Sequence, residues 1–255
     1  MFTQCEAVLE EKRILNEKDA FLVLKVKEKK EVKPCQFCML TATFKKSFDP
    51  FLKRPFGILF QKDDKIGLFI RNFGRGSSII VKDIKESFKF DITYPLGNPF
   101  YPKKDKILLV AGGIGIAGIF WAGVVYKNLG KKVKLLFGGR TEKDLEIRYF
   151  LEKYNLDTTY YTEDGSFGKK GLVSQDLENY LDYTWLVCGP KAMMKAIFEL
   201  GKKLNKKDIF FSLDTYMACG IGVCLGCTIE TKNGYKRCCK EGPVFSIEEL
   251  MESSF

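Results

Sequence analysis

Five of the nine cysteines crowd between Cys219 and Cys239, in a tail that also carries Gly220, Gly222, Gly226 and Gly234. The total is odd, and the N-terminal stretch MFTQCEAVLEEKRIL carries Glu6, Glu10 and Glu11 and no apolar signal core. That combination points away from an exported disulfide framework and toward reduced thiols in the cytoplasm, gathered to hold metal. A segment this rich in cysteine and glycine, with little apolar sequence, takes its shape from what the thiolates bind. There is no histidine, which removes Ser–His and Cys–His hydrolases, His-ligated zinc and Rieske centres. Chemistry in this chain runs through a cofactor, a thiolate, a carboxylate or a lysine.

The spacing Cys219-x4-Cys224-x2-Cys227 is that of plant-type 2Fe–2S sites, whose fourth thiolate lies farther along the chain. Four thiolates neutralise the ferric charge, and the interspersed glycines let the backbone wrap closely and turn N–H groups toward the sulfurs. Cys238 and Cys239 both stand at a suitable distance for the fourth ligand, and spacing does not choose between them. A four-cysteine zinc site is the competing reading, although zinc ribbons pair two C-x2-C units and this tail has one. A second C-x2-C, Cys35 and Cys38, lies in a run that reads as a strand. The two thiols would then face opposite sides, which favours packing over metal.

Ahead of the tail the rhythm of the chain changes once. Up to about residue 100 it consists of short β-runs: Phe21–Val26, a hairpin of Gly57–Phe60 and Gly67–Ile70, then Ser78–Val81 and Phe88–Ile92. Many short strands at this spacing predict a small antiparallel barrel. From Lys106 strands and helices alternate: strands at 107–110, 133–137, 158–161, 185–187 and 209–211, and helices ending near Gly130 and over 142–154, 173–180 and 190–204. Such alternation predicts a parallel doubly wound sheet. The expected fold class is therefore multidomain α+β: an antiparallel β-barrel over 1–102, an α/β parallel-sheet domain over 103–212 and a small cluster-binding subdomain over 213–255. The uncharged twenty residues Ile107–Tyr126 are long enough for a membrane span, but their five glycines fit a buried strand, a turn and a buried helix.

The net charge of +10 is spread as lysine pairs, at 29–30, 45–46, 103–104, 131–132, 169–170, 202–203 and 206–207. No aromatic-rich nucleic-acid motif accompanies them, so they read as a solvated surface, with attraction to an anionic cofactor or an acidic partner subunit as the functional alternative. Two groups of residues match anion chemistry more closely. Gly112, Gly113 and Gly115 follow a strand and open a helix, where a diphosphate meets backbone N–H groups; close helix packing is the plain alternative. The loops Gly138-Gly139-Arg140, Asp164-Gly165-Ser166 and Cys188-Gly189-Pro190 leave strands at the same edge of the sheet. In the barrel, Arg54 offers a planar fork to a diphosphate, and Gly76 and Ser77 an N–H and a hydroxyl.

Together these residues resemble a known family. Arg54-Pro55-Phe56-Gly57 resembles the flavin motif R-P-x-S of ferredoxin reductase-like domains, and Arg71-x2-Gly74-x-Gly76-Ser77 their R-x2-G-x-G-[ST] element. Pro95–Asn98 is similar to the end of their barrel, and residues 111–118, 138–145, 163–168 and 188–194 are similar to their nicotinamide domain. Met217–Cys227 with Cys239-Lys240-Glu241-Gly242-Pro243-Val244-Phe245 resembles the C-terminal signature of the electron-transfer subunits of NAD-linked (type B) dihydroorotate dehydrogenases.

The resemblance implies FAD at Arg54, Pro55, Phe56, Gly57, Phe69, Ile70, Arg71, Gly76 and Ser77. It implies NAD(H) at Gly112, Gly113, Gly115, Cys188, Gly189 and Pro190; Arg140, by its own chemistry, suits a phosphate or a stack on adenine, with a plain turn as the alternative. It selects Cys239 over Cys238, because the family's fourth ligand directly precedes x-E-G-P-V-F. The implied activity passes electrons from a dihydroorotate-oxidising FMN subunit through the 2Fe–2S cluster and FAD to NAD+ in pyrimidine biosynthesis. The implied assembly is a heterotetramer with that catalytic subunit, two of each, without nucleic acid or membrane. Another flavin and iron–sulfur complex, of the ferredoxin:NADP reductase, sulfide dehydrogenase or hydrogenase kind, would share most of these motifs, and a zinc-bearing interaction module is the reading from a different class. Two positions depart from the family: Gly57 stands where it usually has Ser or Thr, and Cys35 where it has glycine.

Overall fold

The computed structural model describes residues 2–42 and 51–255; the lysine pair 45–46 lies outside them. The first six strands are β1 (Thr3–Ile14), β2 (Asp19–Val26), β3 (Phe37–Ala42), β4 (Arg54–Lys62), β5 (Lys65–Arg71) and β6 (Lys89–Leu96). They close as a barrel in the order β1-β2-β5-β4-β3-β6, every pairing antiparallel. Its core is made by the alternate residues that point inward, among them Leu22, Leu24, Cys38, Leu40, Leu68, Ile70 and Ile92. Closure leaves no unpaired sheet edge.

One expected strand is a helix. Ser78–Val81 lies inside α1 (Arg75–Lys82). The run Ile79-Ile80-Val81 is β-branched and reads as strand by propensity. However, the Ser77 hydroxyl accepts the N–H groups of Phe73 and Gly74 and closes the helix start, and Ile80, Val81 and Ile84 bury onto the barrel. Packing and the capped start override propensity here.

The second sheet has seven strands: β7 (Lys106–Gly112), β8 (Lys132–Gly139), β9 (Asp157–Thr162), β10 (Lys169–Lys170), β11 (Thr184–Cys188), β12 (Ile209–Ser212) and, beyond the short hairpin β13 (Thr228–Thr231) and β14 (Gly234–Arg237), β15 (Val244–Ser246). Their order is β10-β9-β8-β7-β11-β12-β15, parallel except at β15. The uncharged stretch resolves into β7 and the buried helix α2 (Ile116–Asn128). Among the described residues no helix is long and apolar enough to cross a membrane.

The expected helix over 142–154 is instead broken: a 3₁₀ turn at Glu142–Leu145, a single α turn, α3 (Arg148–Leu151), and a 3₁₀ turn at Glu152–Tyr154 ended by Asn155 at φ +52°. Asp144 folds back to accept the N–H groups of Arg140 and Thr141, which closes the first turn early and redirects the chain. The 173–180 helix is 3₁₀ throughout, while α4 (Lys191–Lys203) is a full α-helix.

The tail is held by protein packing as well as by its cysteines. β15 adds an edge to the nucleotide sheet, and Phe245, Ile247 and Leu250 enter the core that also contains Trp185, Phe198 and Phe211. In the six described lysine pairs every residue but Lys131 and Lys206 is exposed, in keeping with a solvated surface.

Candidate flavin, nucleotide and iron–sulfur sites

In the barrel the R-P-F-G motif opens β4, paired in register with β3: Phe37 opposite Gly57, Cys38 opposite Phe56 and Met39 opposite Pro55. The Arg54 side chain lies across Gly76, where a Cβ would stand only 1.8 Å from Arg54 Nε. Glycine at 76 is thus what lets the guanidinium rest on the first turn of α1. A fixed guanidinium over a helix N-terminus is a cradle for a diphosphate, so these residues fit FAD. Phe69 is buried at the domain junction and Ile70 inside the barrel, which leaves their main chain for any ligand contact. The Ser77 hydroxyl serves its own turn.

Gly57 has a packing reason. A Cβ there would meet the Ala117 carbonyl oxygen at 2.6 Å and Gly118 Cα at 3.0 Å. The first turn of α2 therefore sits where the family's hydroxyl would project. Arg71 is also committed: its Nε and Nη2 each donate to the Asp19 carboxylate at 2.7 Å, and Nη2 reaches Asp144 at 3.2 Å.

On the nucleotide sheet, the glycine turn and the Cys188-Gly189-Pro190 turn interlock. A Cβ on Gly115 would strike the Cys188 carbonyl oxygen at 2.4 Å, and one on Gly112 would meet Met193 Sδ at 2.7 Å. Close packing thus accounts for both glycines. Gly113 is different: its φ is +50° and its outward face meets nothing nearer than Arg71 Nη1 at 3.4 Å. Its N–H lies at the entry to α2, the arrangement that receives a dinucleotide phosphate. Cys188 is buried, and burial pushes its thiol up to about 12, so it is an inert packing group.

Sequence reasoning missed Arg148. Its side chain is 4% exposed, bonded to Glu142 and to the Tyr149 hydroxyl, and its guanidinium carbon lies 4.2 Å from the Phe167 ring centroid. The Ser166 hydroxyl accepts the Glu142 N–H. Together these contacts join the 140–148 segment to the 163–168 loop along one rim. A buried cation beside two aromatic rings has no short sequence signature, so only the fold reveals it.

In the tail, Cys224 N–H points at Cys219 Sγ, Gly226 N–H at Cys224 Sγ and Cys239 N–H at Cys227 Sγ, each at 3.4 Å. The loop is wound by three left-handed residues, Gly220, Gly222 and Leu225, at φ +70°, +83° and +62°. Partial burial pushes the Cys219 thiol up, but the N–H groups of Cys224, Ile221 and Val223 outweigh it and bring it down to about 6. Main-chain N–H groups thus face three of the four sulfurs, those of Cys219, Cys224 and Cys227. Among the described residues no set of three or more Cys, Asp or Glu side chains gathers as a single-ion site. A 2Fe–2S cluster takes four thiolates, two on each iron, with N–H groups turned toward the sulfurs, and the residues here fit that demand. Cys238 is fully buried, its thiol raised to about 12 by burial.

Cys35 and Cys38 are both buried, but in different cores: Cys35 at the domain junction with Tyr126, Cys38 inside the barrel. Cys35 is not in a strand. It occupies a turn at φ +66°, a left-handed conformation that suits the family's glycine.

Comparison with known proteins agrees with this geometry. The profile of the iron–sulfur cluster binding domain of dihydroorotate dehydrogenase B matches residues 214–251, and that of the oxidoreductase NAD-binding domain residues 109–199. The electron transfer subunit of dihydroorotate dehydrogenase B (NAD(+)) from Clostridium acetobutylicum is 38% identical over 237 residues, covering 91% of this chain and 92% of its own. The Aquifex aeolicus homologue of that subunit is 35% identical over 235 residues, covering 90% and 91%. The chain belongs to this family. Among solved structures, one from a study of the NADH-dependent reduced ferredoxin-NADP oxidoreductase shares its fold, with a TM-score of 0.82 at 22% identity, over 96% of this chain and 89% of that one. The ferredoxin reductase of carbazole 1,9a-dioxygenase follows with a TM-score of 0.70 at 21% identity, over 82% and 69%. The ferredoxin reductase-like architecture of the family thus extends to the barrel, which neither family profile covers.

Proposed function

We propose that this chain is the electron-transfer subunit of an NAD-linked dihydroorotate dehydrogenase, an oxidoreductase component of pyrimidine biosynthesis. The observation that carries the reading is the double use of β3. One edge pairs with Arg54–Gly57, and Gly220, next to Cys219, rests on Met39, where a Cβ would come within 2.5 Å. Asn98 at the barrel's end accepts no slack either: its N–H donates to the Gly242 carbonyl at 2.7 Å. Flavin strand and cluster loop are thus one strand apart and rigidly joined. When bound, the cluster supplies single electrons, and FAD joins them into a hydride for NAD+.

The chain's own residues bind and orient. Arg54 with Pro55, Phe56, Gly57, Phe69, Ile70, Gly76 and Ser77 would hold FAD, and Cys219, Cys224, Cys227 and Cys239 the irons. Gly112, Gly113, Gly115, Arg140 and the Cys188-Gly189-Pro190 turn would receive NAD(H). The division into 1–102, 103–212 and 213–255 follows the same three tasks. The partner would be a cytoplasmic catalytic FMN subunit, two of each in the assembly. Its docking is supported by apolar side chains left exposed around Cys224, namely Val223 (75%) and Leu225 (61%), with Tyr216 (97%) nearby in sequence.

Anaerobic purification tests this. The expected product is brown, with about two irons and one FAD per chain, and reduces NAD+ from dihydroorotate only when the FMN subunit is added. A colourless zinc protein, or one without flavin, would sink the proposal.

A further inference from the structure

Arg71 joins the barrel to both nucleotide turns. Its Nε and Nη2 grip Asp19, whose side chain is 2% exposed, while Nη2 also reaches Asp144 Oδ1 across the domain junction. The other oxygen of Asp144 accepts the N–H groups of Arg140 and Thr141, at 3.1 and 3.2 Å. Asn16 adds a parallel strut: its Nδ2 donates to Asp19 Oδ2 at 3.1 Å and to the Lys143 carbonyl at 3.0 Å. Arg71 Nη1 is the atom facing the open side of Gly113. One guanidinium thus meets the turns leaving β7 and β8 together.

A buried ion pair seldom outperforms well-packed apolar residues in stability, and its best-attested use is to impose one geometry. The guanidinium here is already matched by two carboxylates, so an added diphosphate would have to compete with them. We propose that Arg71 is a positioning residue for the nicotinamide dinucleotide rather than a ligand of FAD. Anchored by Asp19, it fixes the Arg140–Asp144 turn through Asp144 and so sets where the nucleotide lies relative to the flavin strand. The inference rests on the functional reading above for its ligand. Lysine at 71 keeps the charge but loses the planar fork that serves both carboxylates.

The test uses the chain loaded with FAD and cluster, in wild type, Asp144→Asn and Arg71→Lys forms. Bound flavin per chain is measured by absorbance, and NADH oxidation by ferricyanide reduction. Both variants are expected to keep their flavin and to raise KM for NADH by about tenfold while kcat stays within about twofold, since a turn no longer held loses binding shared by ground and transition states. Flavin lost from Arg71→Lys with KM unchanged would return Arg71 to the flavin site. An unchanged KM in Asp144→Asn with normal flavin would break the link to the turn. A wild-type chain with flavin and cluster that oxidises no NADH would overturn this inference and the functional reading together.

Discussion

Gly57 and Cys35 each trade a family residue for another, and the structure gives each a local cause. At Gly57 the α2 carbonyl of Ala117 occupies the space of a side chain. Gly57→Ser, although it restores the usual family residue, is therefore expected to destabilise the chain by about 1–3 kcal/mol, read by urea unfolding, and to lower its flavin content. A neutral result would mean that α2 yields easily. Cys35 holds a left-handed turn that costs a side-chain-bearing residue about 1–2 kcal/mol, offset by burial of its sulfur against Tyr126. The cysteine pair 238–239 separates cleanly at this scale. Cys239→Ser is expected to abolish the cluster's visible absorbance, and Cys238→Ser to keep it, because Cys239 directly precedes the Lys240-Glu241-Gly242-Pro243-Val244-Phe245 run and its N–H points at Cys227 Sγ. The proposed ligand set comes from spacing and the motif after it. The reason for Gly57 was not, because it depends on a helix sixty residues away in sequence.

At the scale of elements, alternation of strand and helix was readable because buried parallel strands are nearly continuous apolar runs, as in Ile107-Leu108-Leu109-Val110. What escaped were segments where tertiary contacts outvote composition. Three β-branched residues form α1 because their burial lies on a helical face, and the 142–154 segment breaks because Asp144 and Arg148 are drawn into contacts with other loops. The base of the 163–168 loop shows how such contacts hold. Asp176 accepts Lys169 Nζ and the Tyr161 hydroxyl, each at 2.7 Å. The Lys169 ammonium first, then that hydroxyl, hold its carboxyl below the usual aspartate value of 3.8. A carboxyl lowered in the folded state stabilises fully above the unfolded value and loses that contribution as pH falls below it. The stability gap between wild type and Asp176→Asn, followed by urea midpoint, should stay constant from pH 7 to about 4 and close in stronger acid. A gap that widened in acid would contradict the assignment.

For the molecule as a whole, the tail is less an appendage than a seam. It leaves the sheet after β12, winds the cysteine loop against Met39 and Leu96 of the barrel, and returns as β15 on the edge of the nucleotide sheet. The sequence announced the loop through its cysteines. The return strand went unread, because Val244-Phe245-Ser246 is too short to carry a period and pairs with β12, whose Phe211 lies 34 residues before its partner Phe245. The seam leaves one sulfur, Cys224, exposed, with Val223 and Leu225 projecting beside it. Burying two such side chains against a partner is worth about 1.5–3 kcal/mol each, and replacing them with aspartate leaves charges to desolvate. Leu225 also holds the left-handed loop, so Val223→Asp is the cleaner probe. It is expected to retain cluster absorbance, flavin and ferricyanide reduction by NADH, and to weaken association with the electron-donating subunit at least about tenfold. Association can be followed by the concentration of that subunit needed for half-maximal NAD+ reduction. Were Val223→Asp to couple as tightly as wild type, the face around Cys224 would not be where electrons enter.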